Sequence, residues 1–114
     1  MSILLTLLLL TGLSNLAWAH AVLMESTPVL NSTVAGPTVA ITLRFNVRVD
    51  GSRSRVLLIA PDGTSSPLTL AKQDKPAILQ SHLTGLKPGA YKLHWNVLAS
   101  DGHMSSGDIP FTVK

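Results

Sequence analysis

Two short stretches of this chain hold the residue types that could do metal chemistry. The first is Ala17-Trp18-Ala19-His20. Small residues before the bond Ala19–His20, after a run of leucines, form the small-x-small pattern that a signal peptidase reads. A cut there leaves a chain that begins with histidine. Its free α-amine and its imidazole Nδ1 can then close one chelate ring around a metal ion. Without the cut that nitrogen is an amide and the ring cannot form. The second stretch is Ser100-Asp101-Gly102-His103-Met104. Asp101 and His103 flank a glycine that lets the backbone bend. That spacing can aim a carboxylate oxygen and an imidazole at one point. Alone, Asp-Gly-His is also ordinary turn chemistry. It gains weight as a ligand pair because His20 is available to complete the set.

The segment before the cut is expected to be removed. Residues 1–19 carry no Lys, Arg, Asp or Glu. The apolar core from Ile3 to Leu10 is too short to span a bilayer, which takes about 20 apolar residues. Residues 1–19 are therefore read as a signal peptide cleaved after Ala19, and residues 20–114 as one small domain. The chain has no cysteine, so neither a disulfide staple nor thiolate ligation is available to it. The net charge is +3, from scattered Lys and Arg with no aromatic row beside them. A solvated surface explains that pattern, and no nucleic-acid partner is expected.

The elements that must position the two stretches read as strands. The hydrophobic period after His20 is two, not 3.6. His20 to Glu25 reads as a first strand, broken by Ser26-Thr27-Pro28. Val39, Ile41, Leu43 and Phe45 alternate with Ala40, Thr42, Arg44 and Asn46, a half-buried strand. Asp50-Gly51 reads as a turn, Arg55 to Ala60 as a strand, and Pro61-Asp62-Gly63 as another turn. Leu68 to Leu70 and Ala77 to Leu79 are short strand candidates. After the turn Leu86-Lys87-Pro88-Gly89, Tyr91, Leu93, Trp95 and Val97 point inward, with Lys92, His94 and Asn96 outward. Ile109 to Val113 closes the domain, with Pro110 marking an edge or bulge. About seven short strands with Gly/Pro turns and no helical run make an all-β, antiparallel sandwich or small barrel.

The chain resembles the CopC family of periplasmic copper-resistance proteins. The matching residues are the leader ending in Ala19, His20-Ala21-Val22-Leu23, Ser26-x-Pro28 and Leu43-Arg44-Phe45. They continue through Gly89-x-Tyr91-x-x-x-Trp95, Val97-x-x-Ser100-Asp101-Gly102-His103 and Gly107. The resemblance implies a Greek-key, immunoglobulin-like β-sandwich. It implies Cu(II), one per mature chain, held by His20 through amine and Nδ1, by Asp101 and by His103. It implies a periplasmic monomeric carrier or buffer without catalysis, with an inner-membrane copper transport protein as a partner. Three nitrogens and one carboxylate oxygen suit tetragonal Cu(II), which also heads the divalent affinity order. Some members add a Cu(I) site in a methionine-rich loop. Here the mature chain has only Met24 and Met104, and residues 61–76 have none. Members often carry an acidic residue soon after the phenylalanine of the second strand, where this chain has Asn46-Val47.

Other candidates read as structural. His94 and His82 read as surface residues, and Glu25 points away from His20 on a regular strand. Trp95 reads as core, and Met104 as a loop residue. Two other functions fit parts of the sequence. One is an immunoglobulin-like adhesion or assembly module without metal. The other is a histidine-brace copper oxidase of the polysaccharide monooxygenase type. The latter presents a broad flat substrate face, for which so short a chain leaves no room, and Asp101 would fill a position oxygen chemistry needs open.

Overall fold

A computed structural model describes residues 20–114, and the leader expected over residues 1–19 lies outside the described residues. The described residues form eight strands: β1 (Leu23–Thr27), β2 (Thr33–Val34), β3 (Val39–Phe45), β4 (Val49–Ile59), β5 (Ser65–Pro67), β6 (Ile78–Leu83), β7 (Gly89–Ala99) and β8 (Met104–Val113). They lie in two sheets, ordered β1-β3-β6 and β2-β8-β7-β4-β5. Among the described residues no helix is long and apolar enough to cross a membrane.

The alternation in the sequence decides which faces meet. Val39, Ile41, Leu43 and Phe45 on β3 are buried, as are Tyr91, Leu93, Trp95 and Val97 on β7. Ile109, Phe111 and Val113 of β8 join them in one core cluster with Val49, Val56 and Leu79. Burying one face of each sheet against the other is what makes the sandwich stable. Phe45 and Trp95 meet across it edge to face, with centroids 5.2 Å apart.

Several boundaries differ from the sequence expectation. Two-residue β2 is a strand beyond the expected seven, and it pairs with β8 in parallel. Too short to show a period, it borrows its position from β8. The first strand starts at Leu23, not His20, and runs through Ser26-Thr27. Asp50-Gly51 does not reverse the chain but lies inside β4. There the ladder to β7 shifts register between Asp50 and Arg55. Asp50 Oδ1 accepts the Ser52 amide at 3.0 Å, as in a turn. Ser54 Oγ donates to the Asp50 carbonyl and accepts the Leu98 amide, bridging the gap in the ladder. Turn chemistry thus builds a bulge here. Leu68 and Leu70 pack against the core outside any ladder, and β5 falls just before them. His82 lies in β6 opposite Ala40.

Candidate metal centre

Two ladder ends fix the site. β1 and β3 end their pairing at Leu23 opposite Phe45, so His20 to Val22 project past the end of β3. β4 begins with Val49 opposite Ala99, the last residue of β7. Between Phe45 and Val49 only Asn46, Val47 and Arg48 cross from one sheet to the other. His20 and the loop after β7 therefore meet at one end of the sandwich. Their rings face each other, with His20 and His103 centroids 5.4 Å apart and planes inclined by 39°. A metal–nitrogen bond is about 2.0–2.1 Å, so two imidazoles at that spacing lie within reach of one ion.

The loop that carries Asp101 and His103 is a tight reversal. The Ala99 amide donates to the His103 carbonyl at 2.9 Å, and the Gly102 amide to the Ala99 carbonyl at 3.0 Å. Gly102 has φ +89° with nothing near a Cβ position, so backbone conformation is what calls for glycine there. Asp101 holds the loop from within: its Oδ1 accepts the His103 amide at 3.1 Å. Its Oδ2 accepts His103 Nδ1–H at 2.6 Å. A carboxylate can only accept, so Nδ1 carries the proton and Nε2 is the open nitrogen of His103. Burial acts to raise the Asp101 carboxyl. The hydrogen bonds from the His103 amide and ring, with the ring's charge, outweigh it and hold the carboxyl below its ordinary range.

The structure thus brings His20, Asp101 and His103 to one rim, His103 bonded to Asp101 and beside the His20 ring. Both Asp101 oxygens are engaged with His103, each keeping lone pairs for a further contact. Among the described residues no group of three or more His, Cys, Asp or Glu side chains stands ready-gathered to hold a metal ion. His94 is elsewhere, on β7, with Nδ1 2.6 Å from Asp108 Oδ1. Glu25 is turned to Arg44, 3.1 Å away. Met24 and Met104 are exposed.

Asn46 is the residue at the site that the sequence reading passed over. Its Oδ1 accepts the Val22 amide at 2.7 Å, and its Nδ2 donates to the His20 carbonyl at 3.5 Å. Its own amide donates to the Val22 carbonyl at 3.0 Å. The sequence held one signal for it: the pair Asn46-Val47 follows Phe45 where the resemblance leads one to look for an acid.

Comparison with known proteins agrees with the fold. Residues 23–114 match the family model described as CopC domain. Protein YobA of Escherichia coli K12 is 34% identical over 100 residues, covering 85% of this chain and 81% of the relative. Copper resistance protein C of Xanthomonas campestris pv. juglandis is 33% identical over 106 residues, covering 86% and 83%. The crystal structure of CopC from Methylosinus trichosporium OB3b superposes with a TM-score of 0.74 at 30% identity, covering 83% of this chain and 94% of that one.

Proposed function

We propose, because this chain belongs to the CopC family of copper-resistance proteins, that it is an exported carrier or buffer of Cu(II). The observation that carries the reading is the pairing of the His20 and His103 rings at 5.4 Å on one rim. Residues 1–19 are the signal peptide, residues 20–114 the working domain, and the periplasm the compartment. The mature amine and Nδ1 of His20 chelate the ion, His103 supplies Nε2, and Asp101 adds an oxygen through a lone pair left free by its bonds to His103. Neutral nitrogens and one carboxylate favour Cu(II) over softer Cu(I). The chain acts as a monomer, binds one ion, and exchanges it with a membrane copper-transport protein.

The ligands sit on an exposed rim, with the His103 side chain 65% accessible. Such a site can load and unload by direct contact, which suits carriage.

The test is native intact mass of the exported protein with and without Cu(II). The expected result is a chain starting at His20 that gains one copper. A form extended by Ala19 loses the amine ligand, and its Cu(II) affinity should fall by about two orders of magnitude or more, beyond the loss of an outer-shell partner. If the extended form binds copper as tightly as the mature one, the N-terminal chelate is wrong. An adhesion module would be indifferent to both treatments.

A further inference from the structure

We infer that Asn46 is a positioning residue for the N-terminal histidine, and that the Asn46–Arg48 loop holds both halves of the metal centre from one backbone segment. The consequence for copper rests on the function proposed above; the geometry does not.

Strand pairing between β1 and β3 stops at Leu23 opposite Phe45. A chain start beyond the last ladder pair ordinarily frays, because nothing offsets the entropy of ordering it. Here the Asn46 side chain continues the ladder. Its carboxamide acts as one more peptide group, accepting from the Val22 amide and donating to the His20 carbonyl. The Asn46 backbone amide closes the clamp on the Val22 carbonyl. Ala21 is buried between these contacts, so the segment is pinned by packing as well. Only a side chain with an acceptor and a donor at this length makes both bonds. A carboxylate has no donor for the His20 carbonyl, and alanine has neither group.

The same loop reaches the other half of the site. The Arg48 carbonyl accepts the Ser100 amide at 3.0 Å, immediately before Asp101. His20 and His103 are thus both referenced to one short crossing between the sheets. Their separation is set before any metal arrives, which lowers the ordering cost of binding.

The experiment uses the exported protein with Asn46→Ala and Asn46→Asp, with thermal unfolding as the check on folding. Two quantities are read: exchange of the Val22 amide by NMR without metal, and Cu(II) affinity by competition titration. Asn46→Ala should strip Val22 of its protection and weaken Cu(II) binding on the order of tenfold, as loss of an outer-shell partner does. Its copper spectrum at saturation should match the unsubstituted protein, because the ligands are unchanged. Asn46→Asp keeps the acceptor, so Val22 should stay protected. The inference is overturned if Val22 stays protected in Asn46→Ala, if it is released in Asn46→Asp, or if Asn46→Ala binds copper undiminished. Should the unsubstituted protein bind no Cu(II), the copper function fails, and Val22 exchange alone then decides whether Asn46 holds the N-terminus.

Discussion

The imidazole rings of His20 and His103 stand 5.4 Å apart although strands β1 to β7 lie between them in sequence. No force between the two rings is needed to bring this about. Leu23 pairs with Phe45 in one sheet, Val49 pairs with Ala99 in the other, and a short crossing joins Phe45 to Val49. Each register is fixed because a one-residue slip would turn buried side chains such as Phe45 and Val97 to solvent. The core thus sets the spacing of the rim.

The chemistry of the rim bears on which copper ion it keeps. Cu(I) is held by soft thioether sulfurs, and several are needed. Residues 20–114 offer Met24 and Met104, which are 54% and 49% exposed and not gathered into a packed site. Cu(II) is expected to bind one per chain, and a Cu(I)-selective chelator in slight excess should strip Cu(I). Retention of Cu(I) against that chelator would show the methionines and histidines acting together.

Acid should weaken the fold through particular carboxylates. The His94 hydrogen bond is the main influence on Asp108, opposed by burial and aided by the charges of Lys92 and His94, and it holds the carboxyl below its ordinary 3.8. Asp101 is likewise lowered. A carboxyl lower in the folded than in the unfolded chain leaves the unfolded chain binding more protons. The stability it contributes is complete above the ordinary value and is lost as pH falls below 3.8 through the folded value. The urea midpoint should therefore drop between pH 5 and pH 2.5, with a smaller drop in Asp108→Asn. Equal drops in the two proteins would remove Asp108 from the account.

Much of the sandwich is legible in the sequence, for a physical reason. β3 and β7 are half-buried along their length, so hydrophobic alternation marks them residue by residue. The candidate ligands are legible too, because an N-terminal histidine and an Asp-x-His loop are chemical patterns. What escapes is whatever depends on a partner far along the chain. Asp50-Gly51 has turn chemistry in any context, and only the Ser54 bond to the Leu98 amide makes it a bulge within β4. β2 exists because β8 offers it an edge. Asn46 looks like one more outward polar residue until β1 is laid beside it.

Gly107 tests the packing behind the site. It lies on β8 opposite Trp95, and a Cβ built on it would stand 2.5 Å from Trp95 Cζ2 and 2.7 Å from Cε2. The ring cannot swing away freely, since it is buried and packed against Phe45. Gly107→Ala should therefore destabilise by about 1–3 kcal/mol, as overpacking does. For a domain of this size that lowers the thermal midpoint by about 4 °C or more. An unchanged midpoint would mean that the strand yields where the ring does not.

Two histidines share the same local arrangement, and only one is expected to matter for copper. His94 donates Nδ1–H to Asp108 and His103 donates Nδ1–H to Asp101, both at 2.6 Å. In each case the bond fixes the tautomer and leaves Nε2 open, the arrangement in which carboxylates orient ligating histidines. The surroundings differ. His94 is paired with Asp108 across β7 and β8, and Lys92 Nζ lies 3.7 Å from the same carboxylate, adding positive charge beside it. His103 instead faces His20, to which the proposed cleavage after Ala19 assigns two nitrogens of the set. A metal ion gains from ligand number at one point, so the Asp–His pair alone is too little. His103→Ala should therefore lower Cu(II) affinity by about 100-fold or more, while His94→Ala should leave it within about twofold. Competition titration of both variants against one chelator measures the two losses on a common scale. If His94→Ala proves the costlier substitution, the ion lies on the face of the five-stranded sheet and not at the rim where His20 and His103 meet.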